Sequence, residues 1–329
     1  MTFYRREGSR LVCLLCAHYC HLKENQIGLC GVNQNLNKAI SNLVYGYPIA
    51  LHVDPIEKKP LYHFLPGTKA LSLGTQGCNF VCSFCQNWSI SQEKVLQKND
   101  YISPERIVEL ALRYECESIA YTYNEPTIFY PYARDIATLA HHNGIKNIFV
   151  TNGYASHEVM KDMVGLIDAV NVDLKSFNTT YYKKSLGGNL DVVLENLRYF
   201  KQHGIWMEVT TLIVPSQNDM FEELSSIASF IAHELGTNVP WHLSAFHPDY
   251  KERHLPNTPM ETLKKAEAIG KQAGLSHIYL GNVGHENPTR CTSCGTVLME
   301  RKGYGVFEKR LHDGCCPTCH TKLAGVFDA

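Results

Sequence analysis

The stretch Cys78-Asn79-Phe80-Val81-Cys82-Ser83-Phe84-Cys85 carries three cysteines in the spacing C-x₃-C-x₂-C. It follows a strand-like run, residues 70–74, and a short polar turn, residues 75–77. Structural zinc sites and iron–sulfur clusters are usually closed by four protein ligands. Three thiolates on one loop therefore predict a soft-metal cluster with one position left for a ligand that is not protein. The alternative is a set of buried or zinc-bound cysteines.

Alternating strand-like and helix-like segments follow this loop. One predicted helix starts at Ser103-Pro104, with a serine cap and a first-turn proline, and another covers about 128–143 and ends before Gly144. This alternation is typical of parallel strands joined by crossover helices, so the expected fold class is α/β. The candidate strands are residues 70–74, 118–122, 147–151, 168–173, 205–213, 241–246 and 277–281.

Polar residues follow nearly every candidate strand. The carboxyl ends of parallel strands meet at the mouth of a barrel, or at one edge of an open doubly wound sheet, and sites are built there. We therefore expect these residues to form one site with the three cysteines. They are Thr75-Gln76, residues 123–126, Thr151-Asn152-Gly153, Asp173-Leu174-Lys175, residues 215–219, residues 247–249 and Gly281-Asn282.

Length, charge and cysteine content narrow the classes of function. The chain has 329 residues, a formal net charge of −1 at pH 7 and 13 cysteines. Near-zero charge gives no basic footprint for nucleic acid, and no apolar run reaches the roughly 18 residues of a membrane span. The first residues lack the apolar core of a signal peptide, and clustered cysteines in a long chain favour metal ligation over disulfides. We expect a cytoplasmic protein.

Two further cysteine groups lie near the ends of the chain. The first group, Cys13, Cys16, Cys20 and Cys30, contains a C-x₂-C knuckle and leaves three interpretations open: a zinc site, a second iron–sulfur cluster, or free or redox-active thiols. The second group pairs two C-x₂-C knuckles around a hairpin-like stretch, which predicts a zinc ribbon, with rubredoxin-like iron as the alternative. Metal binding would supply its folding free energy. Its ligands are Cys291, Cys294, Cys316 and Cys319.

The cysteine loop resembles the radical S-adenosylmethionine (SAM) superfamily, in which an aromatic residue, here Phe84, precedes the last cysteine. The resemblance implies a partial (β/α)6 TIM-like barrel and a 4Fe-4S cluster bound by Cys78, Cys82 and Cys85. It also implies that the amino and carboxylate groups of SAM chelate the open iron. Reductive cleavage of SAM would then give a 5′-deoxyadenosyl radical that abstracts a hydrogen atom.

The same resemblance suggests residues that bind SAM. Asn124-Glu125-Pro126 stands where the superfamily typically has Gly-Gly-Glu-Pro, which implies contact with the SAM amino group through Glu125 or nearby carbonyls. Tyr123 and Asn124 replace the two glycines, and this departure puts the close approach of the backbone in doubt, although Asn tolerates positive φ.

Three further positions resemble glycyl-radical activating enzymes. Asp173 and Lys175, which strand alternation places on one side, match the Asp-x-Lys that holds the methionine end of SAM. His247 matches a strand-end histidine that contacts the ribose. Asn282 is expected near the adenine or ribose. No catalytic side chain is identified beyond these cofactor-binding residues.

Nearly the whole chain resembles one group, the radical SAM member of the AmmeMemoRadiSam system, which is similar to pyruvate formate-lyase activating enzymes. The matching segments are residues 13–20, 55–64, 77–88 and 121–127 and the terminal knuckles. The resemblance implies Memo-like and AMMECR-like partners and an electron donor such as flavodoxin or ferredoxin. The expected organisation is a Cys-rich metal-binding segment (1–50), a radical SAM core (51–285) and a zinc-ribbon-like module (286–329).

Three functions remain possible on this basis. The first is hydrogen abstraction from a protein or peptide, for example from a glycine Cα. The second is radical modification of a small molecule by the same machinery. The third is a non-catalytic zinc-binding protein.

Overall fold

The amino-terminal fifty residues form short antiparallel strands. In the computed structural model, which describes residues 2–93, 95–97 and 100–328, they are β1 (Tyr4–Glu7), β2 (Arg10–Cys13), β3 (His21–Leu22), β4 (Asn33–Leu36) and β5 (Ala39–Asn42). The first three strands pair in one sheet, and β4 and β5 form a hairpin. Phe3, Leu15, Val32 and Val44 are buried in the same hydrophobic core as the segments that follow. This segment therefore packs directly on the rest of the protein.

A large, mostly parallel sheet forms the centre of the protein. Its strands are β6 (Ala50–Pro55), β7 (Lys69–Gly74), β8 (Ser118–Tyr121), β9 (Lys146–Thr151), β10 (Ala169–Asp173), β11 (Trp206–Ile213), β12 (Trp241–Ala245) and β13 (Ile278–Gly281). From β7 to β13 the strands follow sequence order and are parallel, and β6 pairs antiparallel with β7. The predicted partial barrel is confirmed, with seven parallel strands among the described residues rather than six.

Crossover helices cover the outer face of this sheet, which explains why strands such as β8 are buried along their whole length. The helices are α1 (Trp88–Ser91), α2 (Pro104–Arg113), α3 (Tyr130–His142), α4 (His157–Met163), α5 (Thr179–Tyr181), α6 (Leu190–Gln202), α7 (Phe221–Phe230) and α8 (Met260–Gln272). As predicted, the Ser103 side chain caps α2 by accepting a hydrogen bond from Arg106 N at 3.3 Å. None of the described helices has the length and apolar composition needed to cross a bilayer.

The carboxyl-terminal residues form a small three-stranded sheet with its own core. Its strands are β14 (Thr289–Arg290), β15 (Val297–Lys302) and β16 (Gly305–Lys309), so the predicted hairpin is present. The buried residues of this core are Cys291, Leu298, Met299, Cys316, Leu323 and Phe327. Two of them are cysteines, so little apolar area is available to stabilise the fold without a metal.

Arg301 of β15 anchors this small sheet to the barrel. Its fully buried guanidinium donates to Tyr62 O at 2.7 Å and to Thr289 Oγ1 at 2.6 Å. Nearby, Glu208 of β11 accepts hydrogen bonds from Tyr62 N at 3.0 Å and His63 N at 2.7 Å. Residues 62–63 thus lie between the inside of the barrel and the carboxyl-terminal sheet. They are at the open side of the barrel, between its two edge strands β6 and β13.

Candidate active site and metal centres

A cavity of about 500 Å³ lies at the carboxyl ends of the parallel strands. Most of the residues predicted for the site line it: Cys78, Cys82, Cys85, Asn124, Glu125, Asp173, Lys175 and Asn282. The structure therefore brings these predicted residues together, because parallel strands bring their carboxyl ends to one place.

The loop with the three cysteines is fixed by backbone contacts on several sides. Gly77 has a φ of +91°, a conformation that glycine adopts without strain, and so turns the chain out of β7. Val81 N donates to Leu186 O at 3.0 Å, and Gln92 Nε2 donates to Phe80 O at 3.0 Å. A β-carbon at Gly188 would come within 2.6 Å of the Phe80 ring, so this position requires glycine. These contacts thus fix the backbone that carries the three thiols.

The chemistry around the thiols suits a cluster of metal ions and sulfide. Burial raises the pKa of Cys78 well above its usual range and that of Cys82 to about 12. Bound metal reverses this, because coordination stabilises the thiolate. Two buried amide donors beside the loop, Asn79 Nδ2 and Gln86 Nε2, have no hydrogen-bond partner within the described part of the chain. Unpaired buried donors next to cysteines are expected where a sulfide-bearing cluster belongs.

An ion pair faces Cys82 across the cavity. Lys175 Nζ lies 2.9 Å from Asp173 Oδ2, and the intervening Leu174 is fully buried on the other side, as the strand alternation predicted. Burial alone would lower the pKa of Lys175, but the Asp173 carboxylate and the Cys82 thiolate together raise it. Lys175 therefore keeps its charge inside the cavity, next to a carboxylate that is more exposed.

Glu125 lines the cavity but is already occupied by neighbouring segments. Its carboxylate accepts from Thr127 N at 3.1 Å, Thr151 Oγ1 at 2.9 Å and Asn152 N at 2.7 Å. It therefore caps the short helix Pro126–Phe129 and ties it to the end of β9. This arrangement favours a positioning role for the carboxylate and leaves nearby carbonyls as the groups to contact a ligand.

Asn124 and Tyr123 explain how this segment works without the two glycines. The Asn124 side chain accepts from Thr75 N at 3.1 Å and donates to Gly77 O at 2.9 Å, so it braces the turn before the cysteine loop. Tyr123, rather than Asn124, takes the positive φ, at +69°. Its hydroxyl donates to Asp54 Oδ2 at 2.6 Å, and Lys59 Nζ sits 4.5 Å from its ring centroid. These contacts offset the backbone strain.

Asn282 and His247, both predicted to contact SAM, are placed differently. Asn282 lines the cavity and donates through Nδ2 to Ala245 O at 3.1 Å. His247 is exposed and does not line the cavity. The buried Phe246, whose N donates to Thr258 Oγ1 at 2.8 Å, turns the chain after β12 so that the next side chain points outward. On β12 the cavity is lined instead by His242 and Ser244.

Two residues that line the cavity, Lys59 and Tyr304, were not among the site residues predicted from the sequence. Lys59 is 2% exposed and donates to Asp54 Oδ2 at 2.7 Å, so it forms an inner wall of the cavity rather than a solvated surface. Tyr304, from the carboxyl-terminal hairpin, also lines the cavity. The only signal for Lys59 was its position in the segment 55–64, and no local pattern could place Tyr304 beside the barrel.

The four carboxyl-terminal cysteines form a compact group. Cys291 Sγ is 3.5 Å from Cys319 Sγ, and Cys294 Sγ is 3.6 Å from Cys316 Sγ. All four sulfurs lie within 4.8 Å of one another. A tetrahedral ion with bonds of about 2.3 Å holds its sulfurs about 3.8 Å apart, so this group fits one metal ion.

Three thiols and an ion pair therefore share one cavity at the mouth of an α/β barrel. This arrangement is typical of an enzyme that uses a metal cofactor. The sequence profile of the Radical SAM superfamily matches residues 72–231. A Methanocaldococcus jannaschii protein described as uncharacterized is 43% identical over 306 residues, which cover 92% of this chain and 90% of that protein. The chain belongs to the radical SAM superfamily, so it is an enzyme whose cofactors are a 4Fe-4S cluster and SAM.

More distant relatives include two activating enzymes. The isethionate sulfite-lyase activating enzyme of Nitratidesulfovibrio vulgaris is 27% identical over 157 residues, covering 43% of this chain and 51% of that protein. The benzylsuccinate synthase activating enzyme of Thauera aromatica is 22% identical over 177 residues, covering 50% and 54%.

Solved structures share the fold at low sequence identity. A radical SAM methyltransferase from Sphaerobacter thermophilus has a TM-score of 0.53 at 15% identity and covers 66% of this chain and 67% of its own. SuiB of Streptococcus suis, solved with its precursor peptide SuiA, has a TM-score of 0.52 at 13% identity and covers 70% and 52%. These likenesses confirm the barrel architecture.

Proposed function

We propose that this protein abstracts a hydrogen atom from a protein or peptide, as a glycyl-radical activating enzyme does. The observation that carries the proposal is the meeting of Cys78, Cys82 and Cys85 with the Asp173–Lys175 pair in one cavity. A 4Fe-4S cluster held by these thiolates would supply the one electron that cleaves SAM to methionine and a 5′-deoxyadenosyl radical, and this radical would take the substrate hydrogen.

Different side chains around the cavity are proposed to bind different parts of the cluster and of SAM. The three thiolates would hold the cluster, and their incomplete ligand set would leave a position for SAM. Asp173 attracts the ammonium of the methionine end and Lys175 its carboxylate, each with a charge of opposite sign. The buried Phe80 and Phe84 keep water from the loop. Asn282 is proposed to contact the nucleoside, whereas the exposed His247 would reach the ribose only if the segment after β12 moved.

A protein or peptide substrate is supported by the relatives named as activating enzymes. We include Memo-like and AMMECR-like proteins as candidate substrates or partners, and a flavodoxin or ferredoxin as the reductant. We further propose that the compact carboxyl-terminal cysteine group binds zinc. We also propose three segments: a Cys-rich metal-binding segment (1–50), a radical SAM core (51–285) and a zinc-ribbon-like module (286–329).

Anaerobic turnover tests this function. The protein is reconstituted with iron and sulfide and treated with dithionite and SAM; 5′-deoxyadenosine should form, and its absence with an intact cluster would refute the proposal. Mass spectrometry of Memo-like and AMMECR-like proteins after turnover should show a modification that needs SAM. Unchanged proteins together with consumption of a small molecule would instead support the small-molecule alternative. Zinc in all three cysteine groups and no iron would support a non-catalytic zinc protein.

A further inference from the structure

The amino-terminal cysteines form a third group of thiols, separate from the cavity. Cys13 and Cys16 are buried, and Cys20 and Cys30 are partly buried. Cys13 N donates to Cys20 O at 3.0 Å, which brings the first and third cysteines of the group together. The segment with Cys30 folds back over this knuckle, because a β-carbon at Gly28 would lie 3.6 Å from Cys20 Sγ. The fold therefore gathers four thiols that are spread along the segment.

Every pair of these thiols is close enough to interact electrostatically. Four thiols gathered in one buried or partly buried place are the ligand set of a metal centre.

The spacing of these sulfurs distinguishes them from the carboxyl-terminal group. Within the described ranges, the carboxyl-terminal cysteines are the only group of three or more His, Cys, Asp or Glu side chains gathered within 4.8 Å. The amino-terminal sulfurs are therefore adjacent but more widely spread. A single zinc ion needs the compact arrangement, whereas an iron–sulfur cluster places several irons and sulfides between its thiolates.

We propose that Cys13, Cys16, Cys20 and Cys30 bind an iron–sulfur cluster, a redox centre in addition to the one at the barrel mouth. A hydrogen bond supports this assignment: Asn33 Nδ2 donates to Cys30 Sγ at 3.4 Å, and hydrogen bonds to the thiolates set the potential of such clusters.

The position of this group suggests how the cluster is used. A β-carbon at Gly77 would come within 2.5 Å of Cys30 O, so the group packs directly behind the loop that begins with Cys78. His18 Nε2 lies 2.8 Å from Asn79 O on the same loop. On the other side, the neighbouring Leu29 is 73% exposed. The group therefore lies between solvent and the cavity.

An electron relay follows from this position, and this part of the inference rests on the function proposed above. A one-electron donor of the flavodoxin or ferredoxin class is oxidised, and the amino-terminal cluster is reduced by that electron. The electron then passes to the centre held by Cys78, Cys82 and Cys85. No proton or chemical group is transferred in either step.

Iron analysis of a triple variant tests the cluster without relying on activity. Cys78, Cys82 and Cys85 are changed to Ala, and the protein is reconstituted anaerobically with iron and sulfide. We expect retained iron and sulfide and an electron paramagnetic resonance signal after dithionite reduction. Adding Cys30→Ala should remove both, and adding Cys116→Ala, a buried thiol outside all three groups, should remove neither. Zinc at this site, or no iron in the triple variant while circular dichroism shows a folded protein, would overturn the proposal.

Two reductants test the relay separately. In the otherwise unchanged protein, Cys30→Ala should lower SAM cleavage driven by reduced flavodoxin at least tenfold more than it lowers cleavage driven by dithionite, because dithionite is small enough to reach the inner centre. An equal fall with both reductants would overturn the relay while leaving the cluster assignment intact. Failure of SAM cleavage in the parent protein would concern the proposed function alone.

Discussion

The carboxyl-terminal cysteines and the cysteines of the barrel mouth differ in whether they form a complete set of metal ligands. At the carboxyl terminus four sulfurs, in pairs 3.5 and 3.6 Å apart, are close enough to bind one ion and would leave no position on it for another ligand. At the barrel mouth three thiols line a cavity of about 500 Å³ that also contains Asp173 and Lys175. A complete ligand set stabilises a fold, whereas an incomplete one beside charged side chains leaves room for a reactive ligand.

The two regions also differ in what holds them. The carboxyl-terminal sheet has a small core to which two of the metal-binding cysteines themselves contribute. The barrel-mouth loop is fixed by hydrogen bonds from Val81 and Gln92 and by the packing of Phe80 on Gly188. Metal loss should therefore unfold the first region and merely inactivate the second.

The sharpest test of this contrast is Cys82→Ala. We expect complete loss of SAM cleavage, because two thiolates cannot hold the cluster, while carboxyl-terminal zinc and the melting temperature of the barrel stay near those of the parent. Iron, zinc and 5′-deoxyadenosine are measured on the same preparation. Cys116→Ala is the matched control and should keep iron and activity. An active Cys82→Ala protein would contradict the assignment of this thiol.

The converse change is Cys294→Ala. Structural zinc contributes on the order of 10 kcal/mol to the folding of small modules, so we expect the residues after about 286 to unfold. Zinc content should fall by one equivalent, and limited proteolysis should cleave this region while the barrel keeps its iron. Cys315→Ala, beside the group but outside it, should keep zinc. Loss of zinc from that control would mean that Cys315 replaces Cys316 as a ligand.

A smaller effect is expected from Lys175→Met, which removes one charge from the open site. SAM binding should weaken about 10- to 100-fold, corresponding to about 1.4–2.7 kcal/mol, because the SAM carboxylate loses its partner. Iron content should not change. Binding is measured by calorimetry under anaerobic conditions, with the exposed Lys184→Met as control. An unchanged dissociation constant would rule out this role for Lys175.

A last prediction concerns residues 62–63 and their surroundings, which join the barrel to the carboxyl-terminal sheet. Burial lowers the pKa of His63 to about 3 and that of His277 to about 4. Below about pH 6.5 these two histidines bind protons in the unfolded chain but stay neutral in the folded protein. Stability is therefore complete above about pH 6.5 and falls as the pH drops towards 4, by up to about 1.4 kcal/mol per pH unit for each histidine.

Thermal unfolding between pH 7 and 4 measures this loss. His277→Gln should flatten the pH dependence by removing one of the two groups. His254→Gln, at an exposed histidine, should leave the slope unchanged. An identical slope in the parent and in His277→Gln would show that other groups control the acid response.

Much of the fold was predictable because its signals are local. All seven parallel strands were found at positions given by apolar runs, and the start of α2 was found from Ser103 and Pro104. The cavity residues Asp173 and Lys175 were also predictable, since strand alternation alone sends both to one side.

Where the structure departs from the local expectation, the cause is contact between segments distant in sequence. His247 was expected at the cavity, but the packing of Phe246 with Thr258 turns it outward. Contact with SAM was expected from Glu125 or nearby carbonyls, and the hydrogen bonds from Thr151 and Asn152 to the Glu125 carboxylate favour the carbonyls.

The sequence by itself determined which residues can carry the chemistry: three groups of thiols with ligand spacing, and polar side chains at the ends of apolar strands. These are properties of neighbouring residues and of strand periodicity, so they can be read locally. Only the tertiary structure decided how closely each group of sulfurs is gathered and which partners satisfy each carboxylate. It also placed Tyr304 against the barrel. The sulfur spacing, the carboxylate partners and the position of Tyr304 all depend on how segments distant in sequence pack together.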